Sequence, residues 1–226
     1  MTAASEPADV ARARLLRALA ALLGYPAHAL REALPEIREA LAAAAMLPAY
    51  DRTRLVALVD ELEAADELDA CERYVALFDR GRSTSLCLFE HVHGDARERG
   101  QAMVDLTALY ERAGLRLATS DLPDHLPVVL EYLSCRDAAE TRAMIEDFAH
   151  IVRKVGETLA RHGSRYAAVP AAILALAEQP GLDWQKAVEP PPIEAPIDDD
   201  WAEAPAFAPP AATEPAIVHV VPRRPS

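Results

Sequence analysis

The chain has little glycine, few cysteines and no surplus of basic charge, and each shortage excludes something. Glycine numbers only 8 in 226 residues. The three cysteines, Cys71, Cys87 and Cys135, are odd in number, lie 16 and 48 residues apart and form no Cys-x-x-Cys. That excludes a disulfide scaffold and fits small buried hydrophobes in a reducing compartment. No apolar run approaches the ~20 residues that a membrane-crossing helix needs. The first ten residues are polar and carry Glu6 and Asp9, without the basic start and apolar run of a signal peptide. A cytoplasmic protein with no direct membrane insertion is expected.

Basic residues number 23 against 36 acidic ones, a formal net charge of −13. Residues 1–188 carry 29 acids and 21 bases, and residues 189–226 carry 7 and 2, so both parts are acidic. Such a field repels nucleic acid and anionic lipid. A basic peptide or another protein is the better partner.

What is present is helical periodicity. Leu15, Leu16, Leu19, Leu22 and Leu23 recur at spacings of 3 and 4 until Gly24-Tyr25-Pro26 stops the pattern. Leu30, Leu34, Ile37, Leu41 and Ala44 repeat it, with Pro35 predicting a break or kink. Further apolar stripes follow at Leu55, Leu58, Val59 and Leu62, and at Leu68, Cys71, Val75 and Phe78. Residues 80–85 read as a polar loop. Ala102, Met103, Leu106, Leu109 and Tyr110 give a strong helical face before Gly114. A helix is expected to follow the turn at 121–124. Met144, Ile145, Phe148, Ile151, Val152, Val155 and Leu159 mark a long one over 138–162, and a last one covers 166–178.

β-branched residues are few and strand-like alternation is absent before residue 188. The predicted fold is all-α: one bundle-like domain of about seven helices over residues 8–183. Over 184–226 the composition turns to proline, alanine and acids, with ten of the 18 prolines from Pro190 onward. Such a segment buries too little apolar surface to offset ordering entropy, so a disordered tail is expected.

Catalytic patterns are missing. There is no Gly-x-Ser-x-Gly, no Walker A loop, no Gly-x-Gly-x-x-Gly and no His-Glu-x-x-His. Cys87, His91, His93 and Asp95 approach metal-ligand spacing, but on a helix Cys87 and His91 share a face that His93 does not. Polar side chains around a turn at Gly94 is the reading adopted. No catalytic, cofactor-binding or metal-binding residue is assigned. The block Gly94-Asp95-Ala96-Arg97-Glu98-Arg99-Gly100 sets four charges between two glycines. It fits either a solvated loop with weak ion pairs or a polar clamp for another chain.

The residues also carry a resemblance. The runs 74–79 and 86–103, the latter containing His91-Val92-His93-Gly94-Asp95, are similar to the NarJ family, the assembly chaperones of respiratory nitrate reductase. So are Asp121-Leu122-Pro123-Asp124-His125-Leu126-Pro127 with its sequel to Leu133, and Leu22-Leu23-Gly24-Tyr25-Pro26. The similarity spans roughly residues 12–180, and its two motif blocks lie about 30 residues apart. It implies an all-helical fold and a role that is not enzymatic. It implies binding of the apo catalytic (alpha) subunit of nitrate reductase, including its N-terminal tail, so that molybdenum cofactor is inserted before membrane docking. No cofactor is expected to stay on the chaperone. Cys87 stands where the family often has an aromatic, so no thiol role follows.

A helical domain binds such a client through an apolar groove edged by polar groups. The expected client-binding set is Phe78, Leu86, Leu88, Phe89, Glu90, His93, Gly94, Asp95, Arg97, Arg99, Gly100, Asp124, His125, Leu126, Pro127, Val129 and Glu131. Two readings compete: a metal-dependent enzyme using Cys87, His91, His93 and His125, and a structural adaptor acting through the tail.

Overall fold

The computed structural model describes residues 7–92, 96–118 and 120–184. These carry eight α-helices: α1 (Ala8–Leu22), α2 (His28–Ala43), α3 (Ala49–Ala64), α4 (Glu67–Phe78), α5 (Ala96–Arg112), α6 (Leu126–Ser134), α7 (Ala138–Arg161) and α8 (Ala168–Leu176). Short 3-10 turns occupy Arg82–Thr84, Leu88–His91 and Arg165–Ala167. Among the described residues the only β pairing is one isolated antiparallel bridge, Cys87 with His125. The tail from residue 185 lies outside the described residues.

The helices form where the spacings place them, and two of the starts are fixed by side-chain caps. Asp66 caps α4 by accepting from the Leu68 amide at 2.9 Å, and Asp137 caps α7 by accepting from Glu140 at 2.8 Å. The expected interruption at Pro35 does not occur, because α2 runs through it. Pro35 sits on the exposed side, and the helix forgoes only the N–H that would meet the Arg31 carbonyl.

Six helices close a ring: α6 packs on α1, α1 on α2, α2 on α3, α3 on α8, α8 on α7 and α7 back on α6. Its α1 member is deeply enclosed, with Leu15, Leu16, Leu19 and Leu22, and Leu23 just after them, all at 0% exposure. Burying one such leucine stabilises the fold by roughly 1.5–3 kcal/mol. α7 and α8 approach closely at Gly156, where an added Cβ would lie 2.8 Å from both Leu182 and Pro170. Leu182 belongs to a strap that follows α8, held also by Arg153 donating to the Pro180 carbonyl at 2.7 Å. Trp184, placed by sequence at the start of the tail, stacks on the Arg54 guanidinium 3.3 Å from its ring centre.

α4 and α5 stand outside the ring and touch it chiefly through the 3-10 turns. α4 is fastened by aromatics. Tyr74 packs on Tyr25, Phe78 and Tyr166 with ring centres 4.8–6.2 Å apart and donates its hydroxyl to the Leu23 carbonyl at 2.7 Å. α5 is fastened by Tyr110, its one buried side chain among those described. The Tyr110 ring lies 4.8 Å from that of Tyr132, and its hydroxyl donates to the Pro123 carbonyl at 2.8 Å. Gly114 ends α5 at φ +77°, a conformation that favours glycine.

Candidate functional site

The two motif blocks, distant in sequence, meet. Leu126 donates its amide to the Leu86 carbonyl at 2.8 Å, and Leu88 donates to the Asp124 carbonyl at 3.1 Å. These two bonds flank Cys87 and His125, so the pair sits in the close, non-hydrogen-bonded register with side chains adjacent. The turn that makes this possible is Leu122-Pro123-Asp124-His125, closed by His125 N–H donating to the Leu122 carbonyl at 3.0 Å. His125 occupies the N-cap position of α6 without a side-chain capping bond, and Pro127 falls in the first turn, where a missing N–H costs nothing.

Asp124 is the centre of this seam. It is fully buried, and its Oδ2 accepts from the Phe89 amide at 2.9 Å, capping the 3-10 turn Leu88–His91. Its Oδ1 is buried without a hydrogen-bond partner. Burial pushes the Asp124 carboxyl above its ordinary range, against the Phe89 amide and the positive charge of Arg99, which favour ionisation. His125 is half-buried, its Nδ1 lacks a partner, and burial pushes it down despite the nearby charges of Asp121, Asp124 and Asp79.

A second network ties the 86–91 segment to α5. Ser85 donates its hydroxyl to Glu90 Oε2 at 2.5 Å, and Arg99 on α5 donates to Glu90 Oε1 at 3.1 Å. Ser85 Oγ also accepts from the Cys87 amide at 3.2 Å, and His91 Nε2 lies 2.9 Å from the Ser85 carbonyl. The Ser85 hydroxyl, followed by Arg99, holds the Glu90 carboxyl below its usual range.

The predicted residues divide by burial. Phe78, Leu86, Leu88, Leu126 and Val129 are all in the core and support the seam from beneath. Phe89 and Pro127 are half-buried, while Glu90 and Glu131 reach solvent. His93, Gly94 and Asp95 lie outside the described residues. Arg97, Arg99 and Gly100 do not form a loop: they occupy the first turns of α5. The glycines suggested a break, but Gly100 sits in helix with nothing within 4 Å of an added Cβ.

The surface beside the seam is the apolar side of α5. Ala102, Met103, Leu106 and Leu109 are half-buried, with Leu106 and Leu109 packed against the core, while Val104, 61% exposed, lies on the opposite side of the helix. Val92 and Leu122, which flank the two ends of the α5 segment, are also exposed. Sequence reasoning missed Ser85, which looked like any other polar residue of its loop. It also missed the hold of Tyr110 on Pro123, which no local pattern announces.

Burial, with Asp124 and Glu90 nearby, pushes the Cys87 thiol up to about 11, so it stays protonated at neutral pH beside a neutral His125. A thiol nucleophile needs the opposite arrangement. Among the described residues no group of three or more His, Cys, Asp or Glu is placed to hold a metal ion, and no helix is long and apolar enough to cross a membrane.

Comparison with known proteins gives a coherent result. A family model described as nitrate reductase delta subunit matches residues 24–171. The nitrate reductase molybdenum cofactor assembly chaperone NarJ of Escherichia coli K12 is 46% identical over 168 residues, covering 74% of this chain and 71% of the relative. A probable chaperone of the same kind from that organism, NarW, is 39% identical over 73% of this chain and 68% of its own length. The probable NarJ of Bacillus subtilis is 28% identical over 73% of this chain and 89% of its own.

Proposed function

The chain belongs to the nitrate reductase delta subunit family, and on that footing we propose that it is an assembly chaperone for a respiratory nitrate reductase. It binds the catalytic subunit before the molybdenum cofactor is in place, including that subunit's N-terminal tail. It keeps the client open to cofactor insertion and delays its docking on the membrane. It works in the cytoplasm, catalyses no reaction and retains no cofactor.

The observation that carries this reading is the half-covered apolar side of α5 beside the Asp124–His125 seam. A client helix laid there would bury the uncovered parts of Ala102, Met103 and Leu106 together with its own apolar stripe. Area of this kind contributes roughly 25 cal/mol per Å² before ordering costs, which are large, so affinity stays moderate and release remains possible. The acidic chain suits a client tail that carries Lys or Arg.

Titration calorimetry with a peptide copying the leading segment of the catalytic subunit tests the contact. A large negative heat-capacity change is expected, because apolar surface is buried. In cells, the double substitution Asp124→Ala, His125→Ala should lower the molybdenum content of the catalytic subunit while purified variant protein keeps its helical circular dichroism. Unchanged molybdenum content would refute the assignment of this seam. Failure to capture the apo catalytic subunit from cofactor-deficient cells would refute the chaperone reading itself.

A further inference from the structure

Two carboxylates of the seam are in opposite conditions. Glu90 is saturated, with the Ser85 hydroxyl on one oxygen and the Arg99 guanidinium on the other. Asp124, whose Oδ2 bonds the amide of the residue just before Glu90, leaves Oδ1 buried and unmatched. A buried acceptor without a donor is a standing cost that native structures rarely tolerate. Arg99 is bonded to Glu90, and the amide of Phe89, the residue before Glu90, is bonded to Asp124, so the guanidinium is tethered one residue along the turn from the group that holds the buried acid.

Access separates the two acids. The Glu90 and Arg99 side chains are 32% and 30% exposed, so a solvent-borne cation reaches Glu90. Asp124 is fully buried, so only a group already at the seam reaches Oδ1. We propose that Arg99 changes partners when the client docks: a cationic client side chain takes Glu90, and Arg99 turns inward to Oδ1 of Asp124. This rests on the client reading above. Glu90 then selects for a Lys or Arg on the client, and Arg99 is a positioning residue that carries the docking event into α5. The exchange keeps one cation on each carboxylate and gives the orphaned oxygen a charge-assisted donor.

The carboxyl titration of Asp124, followed by carbon-13 NMR in the full chain, reads the exchange directly. The groups facing it are Arg99 and Tyr110 from α5, Glu90 and Cys87 from the 86–91 segment, and its neighbour His125. Loss of the Glu90 charge lowers the Asp124 titration by itself, so the exchange is read from the effect of removing Arg99 in two backgrounds. Glu90→Gln releases Arg99, so in client-free protein a further Arg99→Gln should raise the Asp124 titration by at least about one unit more, a tenfold change in proton affinity, than Arg99→Gln does in the otherwise unmutated chain. An equal rise in both backgrounds would overturn the proposal. With the client's leading peptide bound, the effect of Arg99→Gln should enlarge in the same way, and binding without that enlargement would also overturn the exchange. No peptide binding, with the enlargement in Glu90→Gln intact, would refute the client reading and leave the Arg99 hand-over standing. Unchanged helical circular dichroism in each variant confirms that the titrations compare folded chains.

Discussion

The ring of six helices and the flank made by α5 are built from similar residues and held in different ways. In the ring, leucines at helical spacing meet others from several elements, so each is fully enclosed. On α5 the same spacing yields a face on which, among the described side chains, only Tyr110 is buried and Leu106 and Leu109 pack on the core half-covered, together with the Arg99–Glu90 pair, each side chain about one-third exposed. An ion pair of that exposure contributes roughly 0–1 kcal/mol. Amphipathic periodicity therefore states that a helix has an apolar side, and leaves open how much of that side the rest of the chain covers.

Paired truncations put the contrast to its hardest test. Leu19→Ala in α1 should cost about 2–5 kcal/mol in chemical denaturation, because it opens a cavity in an enclosed core. Leu106→Ala on α5 should cost well under half as much, since its side chain is already half in solvent. Equal losses would break the contrast. Gly156→Ala, at the close approach of α7 to Leu182 and Pro170, should cost about 1–3 kcal/mol through overpacking, seen as a lowered denaturation midpoint. Gly100→Ala should do the reverse. It lies in helix with open space around it, so alanine should stabilise α5 by about 0.5–1 kcal/mol and slow amide exchange there while leaving the ring's exchange unchanged.

The smallest effect is in the pH dependence of the seam joining the two regions. Burial holds the Asp124 carboxyl above its ordinary value, so its contribution is fully present below about pH 4 and is lost as pH rises through the folded value. Glu90 is held low, so its contribution is present above about pH 4 and is lost as pH falls through its folded value. Asp124→Asn should flatten the first slope in denaturation curves taken at stepped pH and leave the second in place.

How much of this was legible follows the same division. The ring helices were readable because Leu15 to Leu23, or Ile145 to Leu159, repeat at spacings that only a helix places on one side. The start of α5 was not, because Gly94, Gly100 and the charges between them look like a turn. The residues from Ala96 are nonetheless helical, with Arg99 clasped to Glu90 nine positions back. Leu86, Leu88, Leu126 and Val129 were legible as apolar but not as core or groove, since short runs carry no sign of what lies above them. The Cys87–His125 bridge joins segments 38 residues apart through backbone bonds, for which side-chain chemistry gives no cue. Membership of a family drew attention to both blocks, but their contact is a tertiary fact.

That bridge has a practical corollary. It fastens both feet of the excursion that carries α5, a handle whose roots are already tied together. A protease cut within the handle should leave two fragments that still migrate as one particle on a native gel. A reporter tag grafted at its tip should leave the ring's melting curve where it was.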